Sequence, residues 1–172
     1  ARGETFFFGY EESIGCAPAA EVRDKDGVCS AMLMAEMAAW CKKNGRHLRD
    51  YLEELYREYG YFAESQYSMI LKGIPGKERI SRIMQAFREG NQKAFGSFVV
   101  EKKTDYAEQV EDLPKSDVLR FDLIDGSWFA LRPSGTEPKL KFYFYAKKDS
   151  RQESERTVHS LREQVLKLAE RK

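Results

Sequence analysis

Within eight residues, Arg132-Pro-Ser-Gly-Thr-Glu-Pro-Lys139 gathers a guanidinium, two hydroxyls and a glycine. A strand-like run, Trp128-Phe129-Ala130-Leu131, leads in, and an alternating run from Leu140 to Tyr145 leads out. Gly135 admits a backbone conformation closed to other residues, and Pro133 and Pro138 stiffen the arch. Such a turn collects Arg132, Ser134, Thr136 and several backbone N–H groups around one small volume. Converging donors with a fork that meets oxygens two at a time suit a phosphate monoester. The alternative is an ordinary hairpin loop whose Arg132 pairs with Glu137.

Followed by Leu-Lys-Phe-Tyr-Phe, this string resembles the phosphate-binding loop in the last domain of the α-D-phosphohexomutases. A second motif agrees: Phe8-Gly-Tyr-Glu-Glu-Ser-Ile-Gly15 resembles the sugar-binding loop of the family's third domain. Arg23-Asp-Lys-Asp-Gly27 follows, then an apolar helix. This version of the motifs is closest to the bacterial phosphoglucomutase branch.

The resemblance implies roles by position. Glu11 and Ser13 bind sugar hydroxyls, and Lys25 approaches the sugar phosphate region. Arg132, Ser134, Gly135 and Thr136 hold the phosphate that is not being transferred. Lys141 stands where many relatives carry Arg and adds a second cation, as a point charge in place of a fork. The implied reaction interconverts α-D-glucose 1-phosphate and glucose 6-phosphate through an enzyme phosphoserine. Glucose 1,6-bisphosphate is its intermediate and activator, and Mg2+ its metal. Phosphomannomutase activity is the alternative, since the two sugars differ only at C2.

Two of the family's loops have no counterpart here. No Thr-Ala-Ser-His-Asn-Pro type string surrounds a nucleophilic serine, and no Asp-x-Asp-x-Asp arrangement offers metal ligands. His47 and His159 lie in other contexts. The chain therefore reads as a C-terminal portion of a longer enzyme, with no catalytic and no metal-binding residue of its own. The missing N-terminal domains of the same protein are then its partners, and Ala1-Arg-Gly-Glu-Thr reads as a mid-domain start. The alternative from another class is a stand-alone, non-catalytic module that binds phosphosugars.

Composition narrows the field. Of 172 residues, 42% are hydrophobic and 13% aromatic, as in a globular chain. A net charge of +1 argues against a broad nucleic-acid surface, so an anion site must be local. No run is apolar and long enough to span a membrane, and no signal peptide is visible. Cys16, Cys29 and Cys41 lack metal-ligand spacing and read as free thiols in a reducing cytoplasm.

The elements that must position these loops fall into two groups. Phe6-Phe7-Phe8 reads as a buried strand delivering the Gly9–Gly15 loop. Met34, Met37, Ala38 and Cys41 recur at helical spacing as core residues, and Asn44-Gly45 ends that helix. Leu48, Tyr51, Leu52, Leu55 and Tyr59 repeat the pattern up to Gly60. Residues 1–59 are thus read as the end of an α/β domain, and 60–172 as a second domain.

In that second domain Tyr67, Met69 and Leu71 alternate, and Ile74-Pro-Gly76 reads as a turn. Ile80, Ile83, Met84 and Phe87 give a helical stripe. Phe98 and Val100, then Leu119, Phe121 and Leu123, mark strands, with Asp125-Gly126 as a two-residue hairpin signal. Leu140, Phe142 and Phe144 face the core, while Lys139, Lys141, Tyr143 and Tyr145 point away. Val158, Leu161, Val165 and Leu168 close the chain with an amphipathic helix. The fold class is α+β: helices over one face of a mostly antiparallel sheet. The family's last domain resembles the TATA-box-binding-protein-like fold, which carries no implication about DNA.

Overall fold

Asp26 shows how the sequence sets local structure. Its carboxylate accepts from the amides of Val28 and Cys29 at 2.9 and 3.0 Å, capping helix α1 (Gly27–Lys43). In the computed structural model, which describes residues 5–11 and 15–171, two short strands precede this cap. They are β1 (Gly9–Glu11) and β2 (Gly15–Ala17), an antiparallel pair with Tyr10 opposite Cys16. The Asp26 amide donates to the Cys16 carbonyl at 2.9 Å, which ties the hairpin to the helix start.

The helix ends as Asn44-Gly45 predicts. Gly45 takes φ +69°, its amide bonds the Lys42 carbonyl, and the Arg46 amide bonds that of Cys41. Those two bonds are a Schellman closure, which needs a residue that tolerates the left-handed region. Helix α2 (Leu48–Tyr59) follows, and Arg46 lies over the rings of Trp40 and Tyr51.

Two expectations for this part are corrected. Phe6-Phe7-Phe8 is not a buried strand: it has no regular structure, and Phe7 is 91% exposed. A strand needs a ladder partner, and none pairs with it among the described residues. Met34 is exposed rather than core, Met37 and Ala38 are half-buried, and in α1 Cys41 alone is fully buried. A helix this apolar on all sides needs cover on all sides. One hairpin and one helix do not supply it.

The molecule divides into two compact units, Ala1–Glu58 and Tyr59–Lys172. The second holds β3 (Tyr61–Ile70), α3 (Gly73–Glu89), β4 (Ala94–Phe95), β5 (Phe98–Asp105), β6 (Leu119–Leu123), β7 (Trp128–Pro133), β8 (Lys139–Lys148) and α4 (Arg151–Glu170). Its strands form one antiparallel sheet in the order β3-β8-β7-β6-β5-β4. Period-two alternation sends Leu140, Phe142, Phe144 and Ala146 of β8 into the core beside Phe129, Leu131 and Phe121. Ile80, Ile83, Met84 and Phe87 of α3 and Val158, Leu161 and Val165 of α4 close that face. The α+β class, an antiparallel sheet with helices on one face, is therefore the observed one. Ser154 of α4 is buried and donates to the Tyr61 carbonyl at 2.6 Å, so the polar group is satisfied.

Two local signals resolve differently from the sequence reading. Ile74-Pro-Gly76 does not turn the chain; it lies in the first turn of α3, where proline's missing N–H costs nothing. Gly76 is needed there because a Cβ would collide with the Leu71 carbonyl. Between β6 and β7 the bond from Leu123 to Ser127 encloses three residues, Ile124-Asp-Gly126, not two. The Leu123 amide bonds the Ser127 carbonyl at 3.0 Å, the Gly126 amide bonds that of Leu123 at 2.9 Å, and Gly126 takes φ +79°. That is the three-residue hairpin with a left-handed last position.

Candidate functional site

Each unit carries one candidate site. In the first, the β1–β2 hairpin and the segment leading to α1 wall a cavity of about 560 Å³. Glu11 and Lys25 both line it, and their side chains meet at 2.7 Å. Fourteen residues apart in sequence, they come together because Asp26 holds the segment after Lys25 against β2. Gly15 makes room for them, since a Cβ there would collide with the Lys25 side chain. A carboxylate that accepts beside an ammonium that donates can grip neighbouring hydroxyls. Ser13 lies outside the described residues. Arg23 and Asp24, motif residues to which the resemblance attaches no role, line the same cavity.

In the second unit, β7 delivers Arg132 and β8 receives the chain after the loop. The Ser134 amide donates to the Lys139 carbonyl at 2.9 Å, closing the arch. The Glu137 amide donates to Ser134 Oγ at 3.2 Å, so that oxygen accepts within the loop while its hydrogen stays available to a ligand. The Leu71 amide donates to the Pro138 carbonyl at 2.9 Å, anchoring the loop to the end of β3.

The hairpin alternative, with Arg132 paired to Glu137, is not what forms. Glu137 pairs with Lys139 at 2.5 Å, and hydrogen bonding to Lys139 holds its carboxyl below the usual range. The charge of Lys141 adds to that effect. Arg132 is exposed, and its side chain makes no ion pair or hydrogen bond among the described residues. Directly across the β7–β8 ladder stands Lys141. Gly135 corrects the sequence reading: its φ lies outside the left-handed region. Its use is space, since nothing stands within 4 Å of where a Cβ would be. The amide there is open to close approach. Thr136 is exposed beside it.

Arg132 also borders a groove of about 480 Å³ that the motif did not announce. Its other walls are Tyr106, Leu113, Pro114, Lys115, Ser116 and Val118, from the segment between β5 and β6. Ser134, Gly135, Thr136 and Lys141 do not line that groove. Among the described residues no group of three His, Cys, Asp or Glu side chains gathers in a way that could hold a metal ion. No described helix is long and apolar enough to cross a membrane.

Comparison with known proteins agrees with the motifs. The family model for the phosphoglucomutase/phosphomannomutase C-terminal domain matches residues 97–165, and that for alpha/beta/alpha domain III matches residues 1–59. Phosphoglucomutase from Staphylococcus epidermidis is 40% identical over 151 residues, covering 81% of this chain and 28% of that protein. Phosphoglucomutase from Staphylococcus haemolyticus is 32% identical over 168 residues, covering 91% and 30%. The open-form crystal structure of the exocytosis-sensitive phosphoprotein pp63/parafusin, a phosphoglucomutase from Paramecium, superposes with a TM-score of 0.60. At 20% identity over 92% of this chain and 29% of that one, this last likeness concerns the fold alone. The chain thus spans under a third of the length of the curated relatives it matches. Two matched domains in the family's order, with both loops on them, make the chain a member of the phosphoglucomutase/phosphomannomutase family, corresponding to its domain III and C-terminal domain regions.

Proposed function

We propose that this chain is the substrate-gripping portion of a phosphohexomutase that interconverts α-D-glucose 1-phosphate and glucose 6-phosphate in the cytoplasm. The observation that carries the reading is the pair Arg132 and Lys141, two cations facing each other across a ladder. Like charges so placed repel, and a phosphate between them turns that cost into binding. Arg132 takes two phosphate oxygens with its fork, Lys141 supplies the second charge, and Ser134, Thr136 and the Gly135 amide donate to the remaining lone pairs.

Glu11 and Lys25, with Ser13, take the sugar hydroxyls. The reaction needs such a grip to work from either end of the sugar, because each half of the cycle presents the opposite hydroxyl. Holding one phosphate while the other end reacts converts binding into positioning, which lowers the barrier without a group here touching the transferred phosphoryl. A phosphoserine and Mg2+ belong to the remainder of the longer protein. The described residues do not gather ligands for the metal. The names of the relatives favour glucose over mannose phosphate.

The test is a coupled assay for glucose 6-phosphate formation. The 172-residue chain should show no turnover. In the longer enzyme, Arg132→Ala should cut kcat/KM roughly 10- to 100-fold, as loss of a charge-assisted contact does. An unchanged kcat/KM would remove Arg132 from the phosphate site.

A further inference from the structure

We infer that Lys115 is a further cation of the phosphate site, presented across the groove from Arg132 by the segment between β5 and β6. This rests on the reading of Arg132 as a phosphate ligand and extends it to a residue outside the motif.

Lys115 and Arg132 line one groove, and none of its described lining residues is acidic. Neither side chain makes an ion pair or hydrogen bond among the described residues. The acid adjacent to Ser116 is Asp117, and it is already engaged, 2.6 Å from Arg88. The same guanidinium holds Asp105 through bonds of 2.6 and 3.4 Å. Arg88 thereby pins both ends of the segment and engages the acid next to Ser116.

The backbone around Lys115 is fixed as well. The Ser116 amide donates to the Tyr106 carbonyl at 2.8 Å, and the Tyr106 amide to that of Val118 at 2.9 Å. Lys115 thus hangs from a held backbone on a flexible stem. A sugar phosphate is close to a dianion at neutral pH, so one guanidinium leaves charge to be met. Lys139 is occupied by Glu137. Tyr106, Leu113, Pro114 and Val118 give the groove an apolar wall that lies against carbon and strengthens charge contacts by excluding water. The ligand class is a phosphomonoester carrying a compact organic body, such as a hexose phosphate.

Titration of the 172-residue chain with glucose 6-phosphate and, separately, inorganic phosphate tests this, with binding followed by calorimetry. Lys115→Ala should weaken glucose 6-phosphate binding roughly tenfold, the loss expected for one charged contact. Lys115→Glu should weaken it further, and Lys115→Arg should retain it. The Phe142 and Phe144 amide signals report that each variant is folded. If Arg132→Ala abolishes binding while Lys115→Ala and Lys115→Glu bind as the parent does, Lys115 is no ligand and the loop site stands. If Arg132→Ala binds as the parent does, the phosphate reading itself falls, and this inference with it.

Discussion

Arg132 and Lys141 occupy directly opposed positions of the β7–β8 ladder, two cations where a sheet would ordinarily place a neutral or opposite-charge pair. Opposed like charges destabilise a sheet by roughly 0.2–1 kcal/mol. Lys141→Gln should therefore leave the ligand-free chain at least as stable as the parent, and slightly more so at low salt. Added phosphate should raise Tm in the parent and by less in the variant. Denaturation with and without phosphate measures both effects. A variant less stable without phosphate, with an undiminished response to it, would remove Lys141 from the site.

Gly76 and Gly135 serve different ends, and alanine separates them. At Gly76 the new methyl meets the Leu71 carbonyl, a backbone atom that cannot swing aside. Gly76→Ala should cost several kcal/mol, in the range of other buried steric clashes. At Gly135 there is open space and no left-handed φ, so Gly135→Ala should change stability by less than about 0.5 kcal/mol. The methyl would still stand where a phosphate approaches the amide, so binding should fall. Urea unfolding checks the first claim and phosphate titration the second.

Arg88 sets a pH dependence at the two ends of the segment between β5 and β6. Burial alone would push the Asp105 carboxyl up. The Arg88 hydrogen bond, the Ala107 amide and the charges of Arg88 and Lys103 together outweigh it, and the group titrates lower than usual. A carboxyl depressed by folding stabilises above its unfolded value, about pH 4, and loses that contribution as pH falls through its folded value. The stability gap between the parent and Asp105→Asn should be full at neutral pH and shrink below about pH 4. A gap that widened on acidification would show that Asp105 is not held ionised by Arg88.

The sequence was most legible where chemistry and period coincide. The loop from Arg132 to Lys139 could be read between two strands because Leu140, Phe142 and Phe144 alternate with polar residues, and that alternation puts them in the core. Asn44-Gly45 likewise announced a closure that needs one left-handed residue. Ile74-Pro-Gly76 misled because proline and glycine punctuate turns and also open helices. Only the Leu71 carbonyl decides between those uses. Met34 misled because helical spacing identifies an apolar face without saying whether anything covers it. Lys115 carried no local signal at all. Its place beside Arg132 depends on β5, β6 and β7 pairing across a long segment, which no window of sequence contains.

The central claim is that the Arg132–Lys139 loop holds a phosphate, and the Gly135 amide is the probe nearest to it. Inorganic phosphate is titrated into the 172-residue chain while that amide is followed by NMR. A saturable shift is expected in the parent, absent in Arg132→Ala and only partly restored in Arg132→Lys, which lacks the fork. An amide that stays in place in the parent, or moves equally in Arg132→Ala, would contradict it.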